Sequence, residues 1–253
     1  MNPVCELLEW DTRFFGVRVG RVVGHRLDDA AARQALSWCA AERVDCLYFL
    51  ADADSEESVA AAERHGFGLK DVRLTYQRRL EPSPAGAAPD LPPGVFIRPS
   101  RPDDAPVLEA IAEGTYTDSR FYFDRRFPRA LADKLYRTWV RQSVAGQADV
   151  VLVLEDRGRA VGFITCHLTD AREGRCGLSG LEPGLRGRGL GLRLYEAALG
   201  WLAGRGVEVV VYVTQARNIR AQRLFQRLGF LSHSTQLWYH KWFDRAALDR
   251  GAA

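Results

Sequence analysis

The sequence predicts an α/β protein of the α+β kind: a mixed sheet flanked by helices, with a smaller, truncated unit ahead of a larger one. Three observations carry this prediction. Compact β-runs alternate with stretches whose apolar residues recur at helical spacing. A proline-rich segment, EPSPAGAAPDLPPG over residues 81–94, divides the chain. Residues 37–80, moved forward by 163 positions without a gap, fall on a stretch with the same order of helix, strand, helix, Gly-Phe and strand.

In the first unit, residues 1–80, Val4–Trp10 reads as a short strand and Asp11–Gly16 as a turn with two aromatics. Val17–His25 alternates as a half-buried strand does. Asp28 or Asp29 can cap a helix running to about Arg43, and Val44–Ala51 is a compact apolar strand. Ser55-Glu56-Glu57-Ser58 opens a second helix with a cap and early acids. His65-Gly66-Phe67 ends that helix, and Leu69–Leu80 alternates as a strand.

The segment 81–94 holds five prolines and reads as an extended, semi-rigid linker. The second unit, residues 95–253, opens with a strand at Val95–Arg98 and a helix from Pro102-Asp103-Asp104 to about Glu113. Pro128–Ser143 is a longer helix with Leu131, Leu135, Trp139 and Val140 on one face. Asp149–Glu155 and Ala160–Leu168 form an antiparallel pair, and Arg175–Leu181 follows as a third strand. Then come a helix from about Leu192, a strand at Val207–Thr214, a helix from about Arg217 to Leu228, and a closing strand.

The 163-residue shift places Trp38 on Trp201, Val44 on Val207, Arg64 on Arg227, Gly66 on Gly229, Phe67 on Phe230 and Tyr76 on Tyr239. The first unit is therefore expected to be a truncated copy of the second. Val23–Asp28 falls opposite Arg186–Gly191, with one glycine and a closing acid, and cannot cradle an anion. Two roles remain open for this copy: completing a sheet, or walling the acceptor site through Asp11–Gly16.

The chemistry concentrates in Leu181–Phe230. Arg186-Gly187-Arg188-Gly189-Leu190-Gly191 follows a strand and passes directly into a helix. Closely spaced glycines let backbone N–H groups approach an anion, and the helix start adds unpaired N–H groups and a positive dipole end. Arg186 and Arg188 add charge-assisted donors. Downstream stand Asn218, Ala221, Gly229 and Phe230. Over residues 95–243 this resembles the GNAT acetyltransferase superfamily, whose coenzyme A motif R/Q-x-x-G-x-G/A precedes N-x-x-A-x-x-[LF]-Y-x-x-x-GF. Phe225 takes the slot where that family often carries a tyrosine acid.

The resemblance implies a GNAT-like sheet, a truncated GNAT-like first domain without a coenzyme site, and acetyl-CoA as cosubstrate. It implies acetyl transfer to an amine by direct attack, with Gly180, Leu181, Arg186, Gly187, Arg188, Gly189, Leu190, Gly191 and Asn218 on the coenzyme. Cys166 and Cys176 have no evident histidine partner for a covalent route. His167, Asp118 and His240 are candidate bases, each more often a structural residue in such a place: a strand histidine, a loop solvator and part of the closing strand. In the loop YTDSRFYFDR, residues 116–125, Arg120 can clamp an acceptor phosphate and Phe121 or Tyr122 can stack on a base. With Trp10–Gly16, Val213-Thr214-Gln215 and the closing YHKW, this resembles the nucleotide-amino-sugar N-acetyltransferases, those acting on TDP-fucosamine among them. The implied acceptor is a nucleotide-linked amino deoxysugar. The alternatives are an aminoglycoside, a polyamine, a protein terminus, or a non-catalytic acyl-CoA-binding module.

Composition bounds the rest. A net charge of +3, with lysine only at positions 70, 134 and 241 and no basic run interleaved with aromatics, does not suggest nucleic acid. No apolar run is long enough to span a membrane, and the N-terminus lacks a basic-then-apolar signal. Five cysteines without a C-x-x-C pair suggest a reduced cytoplasm and neither metal nor disulfide. A small-molecule partner is expected, with a homodimer as a further possibility.

Overall fold

The structure, a computed structural model, describes residues 3–80, 89–185 and 187–244. Residues 81–88 of the expected linker and Arg186 of the glycine motif lie outside the described residues. The first unit contains β1 (Cys5–Leu7), α1 (Glu9–Phe15), β2 (Val19–Val22), α2 (Asp29–Ala41), β3 (Cys46–Asp52), α3 (Glu56–Arg64) and β4 (Gly68–Arg79). The second contains β5 (Val95–Pro99), α4 (Ala105–Ala112), α5 (Arg120–Phe123), α6 (Arg129–Gln142), β6 (Val150–Asp156), β7 (Arg159–Leu168), β8 (Glu173–Leu181), α7 (Leu190–Ala203), β9 (Val209–Gln215), α8 (Ile219–Arg227) and β10 (Leu231–Trp242).

The caps at Asp28 and Ser55 act where the sequence placed them, and Asn218, expected on the coenzyme, is a third cap. Asp28 Oδ1 accepts the Ala31 N–H at 2.7 Å, Ser55 Oγ accepts the Ser58 N–H at 3.4 Å, and Asn218 Oδ1 accepts the Ala221 N–H at 3.1 Å. Two stretches depart from expectation: Arg120–Phe123, read as loop, forms the short helix α5, and Glu9 and Trp10, read as the end of a strand, start α1. Residues 11–15, read as a turn, continue that helix. Trp10 and Phe14, one helical turn apart, stack at 4.9 Å, and Phe15 is buried against Phe121 and Phe127. Gly16, at φ 69°, then closes the helix in the left-handed conformation that glycine adopts without strain.

All ten strands join one mixed sheet in the order β1-β2-β3-β10-β4-β9-β8-β7-β6-β5. The 163-residue offset is visible in the elements: β3, α3 and β4 begin at 46, 56 and 68, while β9, α8 and β10 begin at 209, 219 and 231. The two copies exchange their last strands. β4 pairs with β9 of the other copy (Arg73 opposite Gln215), and β10 pairs with β3 (Gln236 opposite Asp52). These two pairings match under the shift, and β4 and β10 lie antiparallel at the centre.

Helices cover both faces. On one face, α7 packs Leu194, Tyr195, Ala198 and Leu202 onto β6–β9, and α8 adds Phe225. The first copy repeats this with Ala32, Ala35 and Cys39 of α2 over Leu47 and Phe49. Ala62 stands at the position equivalent to Phe225, so the first core is the smaller. The opposite face is covered by α1, α4, α5 and α6, which belong to no repeat.

A buried knot pins that second layer to the exchanged strand. The Arg120 guanidinium lies 4.2 Å from the Tyr48 ring and 4.1 Å from the Trp238 ring, and its Nη1 donates to His240 Nε2 at 2.9 Å. Arginine only donates, so the neutral ring carries its proton on Nδ1. That N–H donates to Asp124 Oδ2 at 2.7 Å, and Trp242 Nε1 donates to the same oxygen at 2.9 Å. Burial, reinforced by the Arg120 charge, pushes His240 down to about 4 against the pull of Asp124. Burial would raise Asp124, but the bonds from His240 and Trp242 outweigh it and hold the carboxyl at about 2.

A histidine that stays neutral in the fold but protonates in the unfolded chain near pH 6.5 costs stability as pH falls from about 6.5 to 4. His240→Gln preserves an acceptor for Arg120 and a donor for Asp124 without a titrating ring. The wild type is expected to lose on the order of 3 kcal/mol more than the variant across this range. Urea unfolding of both proteins at a series of pH values measures it; parallel curves would show that His240 titrates normally in the fold.

Candidate active site

The site begins where two parallel strands part. β8 stays paired with β7 as far as Leu181 opposite Gly162, but pairs with β9 only as far as Cys176 opposite Tyr212. At the point of parting, Ile164 lies opposite Ser179 and Cys166 opposite Cys176, so Gly177 and Leu178 together face Thr165. Thr165 Oγ1 accepts the Leu178 N–H at 2.9 Å. A Cβ at Gly177 would lie 2.6 Å from that hydroxyl, which is why the bulge needs glycine. At Gly180, a Cβ would lie 2.8 Å from both Ile111 and Phe163, so glycine lets α4 seat on the sheet.

Hydroxyl groups fill the wedge. Tyr116 Oη donates to Ser179 O at 2.9 Å, and Tyr212 Oη is 3.1 Å from Gly177 O and 3.0 Å from Tyr195 Oη. Ser179 Oγ lies 2.6 Å from Tyr195 Oη. Burial pushes Tyr195 up to about 12 and raises Tyr116 and Tyr212, so these phenols keep their protons and can act as donors. Phe225 is enclosed beneath them, its ring 4.4 Å from that of Tyr212. The slot lacks a hydroxyl, but two neighbouring tyrosines bring one each.

Beyond β8 a short 3-10 turn, Pro183–Leu185, leads to the glycine motif. Gly187 and Gly189 adopt φ of 82° and 80° with open space above each, so backbone conformation rather than crowding requires glycine there. Gly189 caps α7 without a side-chain bond, leaving the first N–H groups of the helix to an outside acceptor. A hollow of about 430 Å³ lies over this helix start, lined by Arg188, Gly189, Leu190, Leu192, Arg193 and the end of the linker, Asp90–Pro93. Asn218, expected on the coenzyme, directs Oδ1 into capping α8.

On the face beneath α4–α6 lie two adjoining hollows. One of about 230 Å³ is lined by Asp71, Arg73, Ser119, Arg120, Phe121, Tyr136, Val213–Gln215 and Trp238. The other, about 520 Å³, is lined by Thr165, His167, Arg175, Cys176, Gly177, Leu178 and Val211. They share the lining residues Trp139 and Val213, and the second includes Thr165, Gly177 and Leu178, where β8 parts from β9. Asp71 is 3% exposed, and its Oδ1 is 3.3 Å from Arg217 Nη1. Burial pushes its carboxyl up to about 6, with Arg217 opposing.

The expected acceptor residues divide. Arg120 and Phe121 line the first hollow, whereas Tyr122 does not and hydrogen-bonds Asp133 instead. Of the base candidates, His167 lines the second hollow, with Nε2 3.2 Å from Thr165 Oγ1, and burial followed by the Arg175 charge lowers it. Asp118 offers its backbone carbonyl to Arg217. His240 has both nitrogens engaged within the protein and 1% exposure, so it orients Arg120 and has no edge open to an amine. Residues 11–16 do not line either hollow; Phe15 and Trp10 back the wall through Phe121 and Trp139.

Sequence reasoning missed Asp71, Arg73, Ser179, Tyr195 and Tyr212. A signal for the first two existed: the shift sets them against Ser234 and Gln236, so the first copy is charged where the second is neutral. Among the described residues no group of three or more His, Cys, Asp or Glu could hold a metal, and no helix is long and apolar enough to cross a membrane.

Comparison with known proteins agrees with this architecture. A family model described as the acetyltransferase (GNAT) family matches residues 112–230. The Bacillus subtilis spore coat polysaccharide biosynthesis protein SpsD is 27% identical over 158 residues, 62% of this chain and 54% of that protein. An Escherichia coli dTDP-fucosamine acetyltransferase is 28% identical, covering 54% of this chain and 59% of its own length. The chain thus spans between half and six tenths of those two relatives. A mycothiol acetyltransferase from Beutenbergia cavernae is 30% identical over 228 residues, covering 83% of this chain and 69% of that one. A crystal structure of a GCN5-related N-acetyltransferase from Sphaerobacter thermophilus shares the fold with a TM-score of 0.65 at 20% identity, over 94% of this chain and 76% of its own. The glycine cradle, the parted strands and these matches lead to one conclusion: the chain belongs to the acetyltransferase (GNAT) family.

Proposed function

We propose that the chain is an acetyl-CoA-dependent N-acetyltransferase whose acceptor is a small amine, a nucleotide-linked amino deoxysugar. The observation that carries this reading is the combination of a glycine cradle, a wedge between β8 and β9, and a hollow of mixed polar and apolar lining on the opposite face. Names of relatives support the acceptor class: one acetylates dTDP-fucosamine and another takes part in polysaccharide biosynthesis.

The residues suit a coenzyme with a pyrophosphate. The N–H groups over Gly187–Gly191 and the charge of Arg188 would hold the phosphates, with Arg186 of the same motif beside them. Gly180 and Leu181 would lie along the pantetheine arm, and Asn218 at the start of α8 near it. Bound acetyl-CoA supplies the thioester that the amine attacks. Tyr195 and Tyr212, kept protonated by burial, can donate to the departing sulfur, which makes Phe225 compatible with turnover. Cys166 and Cys176 are buried, and Cys176 is held well above its ordinary range, first by its hydrogen bond with Cys166 and then by burial. Neither is a ready nucleophile, which favours direct transfer.

Asp71 is the base this geometry favours. A carboxylate near 6 is charged at neutral pH, yet basic enough to accept a proton from an ammonium group in the hollow. It comes from the first copy, which gives that copy a chemical role.

Three outcomes follow. In a thiol-release assay with amine acceptors, turnover is expected with nucleotide amino sugars and not with aminoglycosides, polyamines or peptide N-termini; release with none would leave only a coenzyme-binding module. Gly189→Asp, which sets a carboxylate at the cradle in open space, should weaken acetyl-CoA binding at least tenfold, about 1.4 kcal/mol, by calorimetry with the fold retained. Unchanged affinity would remove the cradle assignment. For Asp71, kcat/KM should rise with pH through about 6 as the carboxyl ionises. Asp71→Asn should lower it roughly 10²-fold or more and abolish that limb; a variant that keeps the limb would move the base elsewhere.

A further inference from the structure

The junction of the two hollows holds positive charge that the protein does not neutralise. Directly paired residues in a sheet project to the same face. Arg175 of β8 pairs with Val211, and Arg73 of β4 pairs with Gln215. Val211, Val213 and Gln215 alternate onto one face, so the two arginines flank Val213, the residue shared by both hollows. Each arginine lines one hollow.

Among the described residues, Arg73 Nε is shielded from solvent without a hydrogen-bond partner, and neither Arg73 nor Arg175 forms an ion pair. Burial, and then the nearby Arg175 charge, weaken the hold of Arg73 on its proton. An arginine whose Nε is shielded and unbonded, with a second, solvent-exposed arginine nearby, is better satisfied when an anion joins them. The protein supplies none: the carboxylate in the first hollow, Asp71, is already paired with Arg217. Arg120, the arginine first expected to clamp a phosphate, is held between two rings and bonded to His240.

We propose that Arg73 and Arg175 form an anion seat at this junction that takes the phosphoryl groups of the acceptor. The inference rests on the acceptor reading above and places its diphosphate between the two copies. Arg73 comes from the first copy and Arg175 from the second, so neither copy builds the seat alone. Two guanidinium groups suit a doubly anionic phosphoryl group better than a single carboxylate, because each fork can take two oxygens.

Inorganic pyrophosphate is the probe, titrated by calorimetry into the full chain saturated with coenzyme A so that the glycine cradle is filled. Binding is expected, weakened at least tenfold in Arg73→Gln and in Arg175→Gln, and weakened by salt in the wild type. Acetyl-CoA affinity, measured separately, should stay within twofold. Arg73→Lys and Arg175→Lys retain charge without the fork and should show intermediate losses, which also covers a glutamine variant that fails to fold. Acetate in place of pyrophosphate should bind more weakly. Pyrophosphate affinity unchanged in the folded Arg73 variants, or lost together with acetyl-CoA affinity, overturns the seat. The two readings fail separately. Pyrophosphate bound here by a protein that acetylates no amine keeps the seat and removes the activity. Turnover whose acceptor KM ignores Arg73→Lys and Arg73→Gln keeps the activity and removes the seat.

Discussion

The exchange of β4 and β10 between the two copies is the constraint on which the rest of the structure depends. Each copy ends its helix–strand–helix series with a strand that pairs with the other copy's preceding strand. Neither copy therefore closes its own part of the sheet. Withdrawing β10 would open the edges of β3 and β4 and uncover Phe49 and Tyr239, each contributing roughly 1.5–3 kcal/mol by burial. The cost of separating the copies is that of breaking the centre of a sheet, which is far larger than that of parting two domains across a polar interface.

This arrangement decides which residues line the first hollow. With β4 beside β9, Asp71 and Arg73 of the first copy stand next to Val213–Gln215 of the second and line the first hollow. With β10 beside β3, His240 meets Tyr48, and the pair holds Arg120 in place. The first copy has no glycine cradle at the position the 163-residue shift would give it: Val23–Asp28 stands there, and Leu27 N–H bonds Ser58 Oγ at 2.8 Å. Its remaining contribution is lateral, through the strand it lends and the charges that strand carries.

Much of this was legible in the sequence because it is local. The caps at Asp28 and Ser55, the positive-φ glycines 187 and 189, and the 163-residue offset all depend on short-range chemistry or on self-comparison. The strand exchange was not legible. β3 and β9 offer similar apolar edges, so local pattern cannot choose which copy's last strand pairs with which. The helix at Glu9–Phe15 was masked by the turn-like Asp11 and Gly16, and its stability comes from aromatic contacts with a layer over a hundred residues away. Asp71 and Arg73 drew no notice within the alternating strand Leu69–Leu80, because the sequence did not show that α5 and α6 cover their face. Phe225 was read as an empty acid slot; the hydroxyls near it are those of Tyr195 and Tyr212, which meet at 3.0 Å beside the parting of β8 from β9.

Native-state hydrogen exchange across a denaturant series tests the strand exchange most directly. If the two copies are one cooperative unit, amides in β3 and β10 share an opening free energy and denaturant slope with those in β4 and β9. Amides of β1–β3 that open at a distinctly lower free energy, while β5–β9 stay protected, would contradict it: the first copy would then be an appendage, and not a part, of the sheet that carries the site.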